Sequence, residues 1–412
     1  MDTKLSGQDL QARRIPALTI LVVFLKLGLT SFGGPIAHLG YFRDEFVARR
    51  RWLDEQAYAD LVALCQFLPG PASSQVGFAI GLTRGGFAGA LAAWIGFTLP
   101  SALLMLAFAY GVDAFSGPLA QGILHGLKIV AVAVVAQAVW GMARTLAPDR
   151  IRGSIATAAV VAVTLAGGAF GQIAAIALGA LAGVCLAGRG IEIPSGVTAE
   201  WTVAAPFPLK VAGLLLAIAL ALLVALPGLA AVGIGGQPLA LFDAFYRAGA
   251  LVFGGGHVVL PLLQESVVAT GWMTQADFLA GYGAAQAMPG PLFTIAAYLG
   301  AVVGPAPNGV AGAAIAVVAI FLPGLFLVAG ALPFWRSIGH VRPVRAAMTG
   351  VNAAVVGILG AALYDPVFIS AIRSSADFAL ATVAFVFLVV WRAPPWVIVL
   401  LAAACGMLVS MA

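Results

Sequence analysis

The chain is organised around a stretch that begins Phe24-Leu25-Lys26-Leu27-Gly28-Leu29-Thr30-Ser31-Phe32-Gly33-Gly34-Pro35 and ends Gln66-Phe67-Leu68-Pro69-Gly70-Pro71. The same order returns as Phe245-Tyr246-Arg247-Ala248-Gly249, Phe253-Gly254-Gly255-Gly256 and Gln286-Ala287-Met288-Pro289-Gly290-Pro291. The shift is 221 residues from Gly33 to Gly254 and 220 residues from Pro69 to Pro289. A match this well ordered over so long a distance indicates an internal duplication.

The composition is that of a membrane protein. Of 412 residues, 62% are hydrophobic and only 9% are charged, which is more apolar than any soluble domain requires. The three cysteines lie far apart in apolar surroundings, so we predict neither a disulfide framework nor a metal site. The basic residues flank apolar segments and form no stripe with aromatic residues, which excludes a nucleic-acid-binding protein. Residues 1–14 are polar and basic with no cleavage site after them, so no signal peptide is expected.

Apolar segments long enough to cross a bilayer, about 20 residues each, occur six times in each copy of the duplication. A further segment at 209–227 lies between the copies and has no counterpart. The paired segments are predicted at 15–33, 57–82, 85–112, 119–143, 153–168 and 171–188, and at 241–257, 275–303, 308–331, 344–364, 376–392 and 395–411. The sequence therefore predicts an all-α polytopic membrane protein, divided into an N-terminal repeat (1–190), a connector (191–240) and a C-terminal repeat (241–412).

The unpaired segment predicts that the two repeats have opposite orientations. Seven segments precede the second repeat, which then enters the membrane from the other face. Inverted repeats of this kind build many secondary transporters. Most Lys and Arg residues between the segments fall on the side of the N-terminus, which the positive-inside rule assigns to the cytoplasm.

Two loops contradict simple crossings. The four arginines at 43–51 would lie outside, whereas the matching loop at 258–274, which has Glu265 and no Lys or Arg, would lie inside. Both discrepancies vanish if the first two segments of each repeat enter the membrane and return to the same side. Half a segment divided at Pro-Gly-Pro is about 11 residues, or roughly 17 Å of helix, which reaches only mid-membrane. We therefore favour re-entrant or broken helices over plain crossings, with an amphipathic helix at 36–50 on the cytoplasmic interface.

At these motifs the sequence resembles the chromate ion transporter family in its long, two-domain form. The resemblance covers nearly the whole chain except the connector around 190–240. It rests on Gly28-Leu29-Thr30-Ser31-Phe32-Gly33-Gly34-Pro35, both Pro-Gly-Pro motifs, Phe253-Gly254-Gly255-Gly256-His257 and Gly350-Val351-Asn352-Ala353-Ala354-Val355-Val356-Gly357. It implies a bacterial inner-membrane exporter of chromate that confers chromate resistance.

The Pro-Gly-Pro motifs cannot be continuous helix, because two backbone donors are missing and proline clashes with the preceding turn. At membrane depth, such backbone is tolerated only where it is buried in protein or lines a polar cavity. A helix that starts after the motif offers free N–H groups and a positive dipole end, which suit an anion. We therefore predict an oxyanion site at both breaks, with a packing kink as the alternative. Its residues are Gln66, Pro69, Gly70, Pro71, Ser73, Ser74, Gln286, Pro289, Gly290, Pro291 and Thr294.

Two cations occupy matched positions inside apolar segments, where a charge is costly and is rarely kept without a partner or a purpose. We predict that Lys26 and Arg247 attract a dianion into the membrane. The alternatives differ for the two residues. Arg247 has Asp243 four residues earlier as an ion-pair partner, whereas Lys26 has no such acid and would extend to an interface.

The glycine runs allow close backbone approach and exposed N–H groups, which fit an oxyanion nest. Packing of small residues against a neighbouring helix explains them equally well. Polar residues at matched positions in apolar segments, and one histidine at a segment end, are second candidates. The residues that these features add to the predicted site are Ser31, Gly33, Gly34, Gly254, Gly255, His257, Lys128 and Asn352.

The predicted function is secondary transport of a tetrahedral oxyanion by alternating access, as one bundle rocks against another. No P-loop of the required spacing is present, so an ion gradient or a counter-transported anion would drive it. The resemblance implies chromate, while a sulfate or other oxyanion carrier and an anion channel remain alternatives. An enzyme is disfavoured, since the four histidines show no metal-ligand spacing. No cofactor or metal is predicted, and the expected partners are chromate, with sulfate as the alternative, the lipid bilayer and a second copy in a homodimer.

Overall fold

The computed structural model of the chain describes residues 14–114, 118–166, 168–186, 206–253, 256–335 and 341–411. The first series of helices is α1 (Ala17–Thr30), α2 (Gly34–Arg43), α3 (Glu55–Phe67), α4 (Ala72–Ala114), α5 (Pro118–Leu146), α6 (Arg150–Ala166) and α7 (Gly168–Cys185). After α8 (Leu209–Ala231), the second series is α9 (Gly236–Ala250), α10 (Val259–Val267), α11 (Gln275–Ala285), α12 (Ile295–Val302), α13 (Gly309–Ala331), α14 (Arg342–Ala362), α15 (Ser375–Val389) and α16 (Pro395–Met411). The predicted site residues Gly254 and Gly255 lie outside the described residues.

The helices break at the repeated motifs. In the first repeat, α1 ends at Thr30 and α2 begins at Gly34, while α3 ends at Phe67 and α4 begins at Ala72. In the second, α9 ends at Ala250 and a 3-10 turn begins at Gly256, while α11 ends at Ala285 and a 3-10 turn begins at Leu292. Equivalent caps also begin α3 and α11, since Asp54 accepts from the N–H of Ala57 and Thr274 from that of Asp277.

The first two helices form a hairpin, as do the next two. A π-helical turn extends α2, and its Phe46 stacks on Phe24 of α1 with ring centroids 5.0 Å apart, so α2 returns alongside α1. The start of α4 returns in the same direction, because the N–H of Ile15 donates to the carbonyl of Arg84 at 2.8 Å. Both hairpins therefore open on the face where α1 begins, which we call the N-terminal face.

The long helix α4 is two arms. Gly86, with φ 65° and ψ −161°, reverses the chain between residues 72–85 and 86–114. A Cβ on Gly81 would lie 2.4 Å from the carbonyl oxygen of Gly89, which is possible only if the two arms run side by side. We refer to the arms as α4a and α4b. Only α4b continues away from the N-terminal face, because α4a ends where α1 begins.

The second repeat has the same two hairpins. Residues near the start of α9 and the end of α10, Ala240 and Ser266, line one cavity, so this hairpin also opens on a single face. In the next hairpin, the N–H of Gly304 after α12 donates to the carbonyl of Trp272 before α11 at 2.8 Å. The chain then reverses into α13, with Gly300 and Gly312 in close backbone contact.

The helices group into two bundles. The core bundle consists of α1–α4 and α8–α13, in which α1 packs on α4 and α9 on α13. The arm bundle consists of α5–α7 and α14–α16, and the two repeats exchange helices within it: α14 packs on α6 and α7, while α5 packs on α15 and α16. Small residues allow these crossings, since Gly350 meets Gly179 and Gly126 meets Ala402 at backbone distance.

Within the described ranges, five helices are long and apolar enough to cross a membrane by length and composition: Ala72–Gly111, Gln121–Leu146, Leu209–Ala231, Gly309–Phe334 and Arg342–Ala371. The hairpin helices are shorter. The 14 residues of α1 extend about 21 Å, less than the ~30 Å hydrocarbon core. The protein is thus an all-α polytopic membrane protein built from two repeats with broken helices.

One segment differs from the prediction. Residues 36–50 were expected to lie on the cytoplasmic interface as an amphipathic helix. Instead, Phe42 and Phe46 are fully buried, and both rings contact Phe24. The apolar side of the segment therefore faces α1, where it forms the returning arm of a hairpin, and only its last residues reach the N-terminal face.

Candidate functional site

The hairpin tips of the two repeats meet through reciprocal backbone hydrogen bonds. The N–H of Gly70 donates to the carbonyl of Val252 at 2.7 Å, and the N–H of Gly290 donates to the carbonyl of Ser31 at 2.8 Å. Gly70 and Gly290 are the central residues of the two Pro-Gly-Pro motifs, while Ser31 and Val252 follow the first helix of each repeat. Each Pro-Gly-Pro break is thus held by the other repeat.

The two central glycines also pack against the kinked helices of the opposite repeat. A Cβ on Gly290 would lie 2.8 Å from the hydroxyl of Ser101, next to Pro100 in α4b. A Cβ on Gly70 would lie 3.1 Å from the Cα of Gly324, next to Pro323 in α13. Both glycines have positive φ, 122° for Gly70 and 88° for Gly290. These positions therefore require glycine both for conformation and for space.

A helix N-terminus follows the first break. Its first intrahelical hydrogen bond runs from the N–H of Gln75 to the carbonyl of Pro71 at 2.9 Å, so the N–H groups of 72–74 precede the helical ladder. Ser73 and Ser74 in this turn are 3% and 2% exposed. After the second break a 3-10 turn comes first, and the hydroxyl of Thr294 donates to the carbonyl of Pro291 at 2.7 Å. The two breaks are therefore not chemically equivalent.

Two residues that sequence reasoning missed lie in this region. The amide of Gln75 donates to the carbonyls of Pro69 and Gly324, at 2.9 and 3.0 Å, and so ties the first break to the second repeat. The imidazole Nδ1 of His38 is 3.4 Å from the hydroxyl of Ser73. Neither residue has a polar counterpart in the other repeat, which is why a search for matched motifs passed over them. Both residues lie within a few residues of a repeated motif, and this closeness in sequence was the signal that could have identified them.

His38 is almost completely buried, at 1% exposure. Its ring stands edge-on to Phe97 of α4b with centroids 5.2 Å apart, and it also lies within hydrogen-bonding reach of the backbone of Ser31. The imidazole therefore connects the tip of the first hairpin, the start of α4a and the middle of α4b. The predicted histidine His257 is instead paired, with Nδ1 2.7 Å from the hydroxyl of Tyr282.

The two matched cations are not brought to the tips. Lys26 is exposed on the outside of α1. Arg247 holds the buried carboxylate of Asp243 with its Nε 3.0 Å from each oxygen. The pair lines a cavity of about 370 Å³ at the outer ends of α8, α9 and α10, which also contains Glu265. The ion pair named as the alternative for Arg247 is therefore present.

The remaining predicted residues also differ between the repeats. Gln66 is exposed, whereas Gln286 is half-buried. Lys128 and Asn352 are both half-buried at equivalent points of α5 and α14. In the described part of the chain, Nε2 of Gln286 and Oδ1 of Asn352 are buried without a hydrogen-bond partner. Gly33 and Gly34, both with positive φ, form the tip of the first hairpin.

The core bundle contacts the arm bundle mainly through its helices from the second repeat. Helix α11 packs along α5, and α10 packs on α7 and α14. All residues of α11 from Phe278 to Ala285 are buried. Its counterpart α3 makes no comparable contact with α14, and it exposes one helical stripe of Gln56, Ala59, Ala63 and Gln66. The two bundles are therefore in contact along α11, whereas they are separated along α3 as far as the first Pro-Gly-Pro break.

Charges at the N-terminal face are compensated locally. Glu45 accepts from Arg49 at 3.0 Å and from Arg50 at 2.5 Å, and Arg43 donates to Glu55 at 2.6 Å. In the loop between α5 and α6, burial alone would raise the pKa of Asp149, but hydrogen bonds from Arg152 outweigh it and hold that pKa below its usual value.

Among the described residues, no group of three or more His, Cys, Asp or Glu side chains could hold a metal ion.

Comparison with known proteins gives one matching region in each repeat. The sequence profile of the chromate transporter family matches residues 18–184 and 239–407, which together make up most of the chain. The chain belongs to the chromate transporter family. The two matched regions include the hairpins and the arm-bundle helices of each repeat, and they leave α8 between them.

Relatives of full length support the same assignment. The chromate transport protein of Pseudomonas aeruginosa is 30% identical over 397 residues, which cover 92% of this chain and 89% of that protein. The chromate transport protein of Cupriavidus metallidurans is 28% identical over 389 residues, covering 93% and 90%. A probable chromate transport protein of Synechococcus elongatus is 29% identical over 345 residues, covering 82% of each chain. No solved structure matches the chain significantly.

Proposed function

We propose that this chromate transporter family member exports chromate across the bacterial inner membrane by alternating access, and so confers chromate resistance. The observation that carries the proposal is the meeting of the hairpin tips of both repeats, Gly70 with Val252 and Gly290 with Ser31. Broken helices at the interface of inverted repeats are where secondary transporters bind substrate. The choice of chromate follows the names of the relatives from Pseudomonas and Cupriavidus.

The substrate site in this proposal is the junction of the two Pro-Gly-Pro breaks. Half-helix N-termini favour negative charge, and the buried hydroxyls of Ser73 and Ser74 stand beside one of them. The repeats are taken as 1–190 and 241–412, joined by the connector 191–240. The protein is a multi-pass membrane protein, and the second copy expected in a homodimer would pack against its lipid-facing surface.

The transport cycle is proposed as rocking of the arm bundle against the core bundle. The separation of α3 from α14, together with the close packing of α11 on α5, corresponds to a state open towards the N-terminal face. The arginines of that face support a cytoplasmic orientation. In the opposite state, inverted symmetry predicts that α3 packs on α14 while α11 leaves α5.

Cysteine accessibility tests this cycle directly. Gln66→Cys and Gln286→Cys place thiols at equivalent points of the two repeats. Alternating access predicts that the two positions are labelled from opposite faces, and that conditions which raise labelling of one lower labelling of the other. An anion channel would instead show both positions accessible in the same open state.

Flux measurements test the substrate and the driving force. Purified protein in liposomes should move chromate under an imposed proton gradient or against sulfate on the other side. Transport of sulfate without chromate would replace the proposed substrate with another tetrahedral dianion. Ohmic single-channel currents in a planar bilayer would replace the carrier with a channel.

A further inference from the structure

Four buried polar groups without a partner lie in the first repeat, at or near the tip region already described. Among the described residues, no hydrogen-bond partner exists for Ser31 Oγ, His38 Nε2, Ser74 Oγ or Thr98 Oγ1. Each of these residues is at most 3% exposed. A buried polar group without a partner costs about 1–3 kcal/mol, so these four groups are candidates to donate to a ligand with several acceptor atoms.

The second repeat fills the same positions with apolar side chains. With shifts of 220 to 223 residues, Ser31, His38, Ser73 and Thr98 correspond to Val252, Val259, Phe293 and Phe321. The rings of Phe293 and Phe321 contact each other with centroids 5.8 Å apart. Where the second repeat packs two aromatic rings, the first has two small hydroxyl residues. Thr294, the counterpart of Ser74, already donates to Pro291.

We propose that the transporter has one oxyanion site, in the first repeat only, in which His38 and the hydroxyls of Ser31, Ser74 and Thr98 bind the substrate. This inference rests on the proposed function and refines it, because the binding hydroxyls and imidazole then come from the first repeat, while the second break supports the site through the bond of Gly290 to Ser31. Its ligand class is a tetrahedral dianion, whose oxygens can accept from donors on several sides.

The donors come from three elements that His38 connects. Nε2 of His38 has no hydrogen-bond partner among the described residues, and it carries the imidazole proton in the tautomer in which Ser73 donates to Nδ1. Thr98 follows Phe97, whose ring contacts His38, and Ser74 lies in the first turn of α4a. The N–H groups of that turn point the positive end of the helix dipole to the same region. A buried dianion requires such a set, since no single donor replaces its hydration.

Variants that remove one donor at a time test the site. Thr98→Val replaces the hydroxyl with a methyl group of similar size, and His38→Val installs the residue of the second repeat. Thr83→Val is the matched control, because the Thr83 hydroxyl on the same helix already bonds the carbonyl of Ala79. Val259→Thr is the control in the second repeat. Each purified variant is assayed in liposomes for chromate and sulfate flux, with nitrate, a planar monoanion, as a third substrate.

The expected result is a rise of about tenfold or more in the KM for chromate in Thr98→Val and His38→Val, the effect of losing a hydrogen bond to a charged group. His38→Gln, which keeps an N–H donor, should recover part of the loss, and both controls should match the wild-type KM. Gel-filtration profiles and thermal midpoints without substrate identify any variant that fails to fold, in which case Thr98→Val decides alone.

Two outcomes would overturn the inference while leaving the proposed function intact. One is a wild-type chromate KM in both Thr98→Val and His38→Val. The other is an equal loss in the controls Val259→Thr and Thr83→Val, which would show that the KM responds to any change in packing and not to these donors. If the wild-type protein moves sulfate but not chromate, the proposed substrate fails and the variants are compared with sulfate. If it neither binds nor moves any tetrahedral dianion, both proposals are wrong.

Discussion

The N–H of Gly290 in the second repeat donates to the carbonyl of Ser31 in the first, at 2.8 Å. Gly290 has no room for a side chain, because its Cβ would meet the hydroxyl of Ser101 in α4b. The equivalent bond joins Gly70 to Val252 at 2.7 Å. Each repeat therefore completes the backbone hydrogen bonding of the other, and within a bilayer an unsatisfied N–H or C=O would be costly. Neither repeat could keep its Pro-Gly-Pro tip in this position alone.

Gly290→Ala should abolish transport. Its new Cβ would lie 2.8 Å from the hydroxyl of Ser101 at a φ of 88°. The left-handed backbone costs about 1–2 kcal/mol and overpacking about 1–3 kcal/mol, so the tip must move. Gly304→Ala is the control, because its Cβ would have ordinary contacts. Chromate flux and the thermal midpoint are measured for both, and wild-type flux in Gly290→Ala would contradict the packing described.

The hairpins predict an unusual topology. The turn that contains Arg49 should be cytoplasmic, and the loop that contains Glu265 should be external, although a count of apolar segments as crossings gives the reverse. Arg49→Cys and Glu265→Cys, each in a background without the three native cysteines, are treated with an impermeant thiol reagent in intact cells. Only position 265 should be labelled, and labelling of position 49 from outside would exclude a hairpin that returns to the cytoplasm.

Lys26→Ala should lose transport while the protein still inserts and folds. The side chain is exposed on α1, so its removal should change the free energy of unfolding by no more than about 0.5 kcal/mol. The predicted role is attraction of the dianion, and Lys26→Arg should retain part of the flux because the charge survives although the geometry changes. Normal chromate resistance and flux in the alanine variant would show that Lys26 has no part in transport.

Arg247 and Asp243 can be separated by a double-mutant cycle. Arg247→Ala leaves a buried carboxylate without its cation, which costs about 3–5 kcal/mol in a fully buried pair. Since the guanidinium is 37% exposed, solvent screening should reduce this to about 1–2 kcal/mol. If the pair is only structural, adding Asp243→Ala should restore both stability and flux. If Arg247 binds substrate, stability should recover while flux stays low.

The sequence predicted the helix breaks because proline and glycine act locally. The motifs at 69–71 and 289–291 end helices whatever surrounds them, and the charge of the adjoining loops indicated that the chain returns to the same face. The partner of each tip could not be predicted, since the contact of Gly290 with Ser31 joins residues 259 positions apart.

Repeat symmetry was also a misleading guide to side chains. The symmetry matched Lys26 with Arg247, but of the two only Arg247 has an acidic partner among the described residues, Asp243. The counterpart of Asp243 in the first repeat is Val22, so the two cations lie in different surroundings. The symmetry also passed over His38 and Gln75, because Val259 and Ile295 stand at their equivalent positions. Residues that break the symmetry could be recognised only once the tips were seen together.

The most direct test of the account is chromate flux in liposomes after each Pro-Gly-Pro motif, 69–71 or 289–291, is replaced in turn by Ala-Ala-Ala. Continuous helix would then replace the break, and the cross-repeat bonds of Gly70 or Gly290 would be lost. We expect the wild-type protein to carry chromate and both variants, correctly inserted and folded by gel filtration, to carry none. Normal flux in either variant would contradict it.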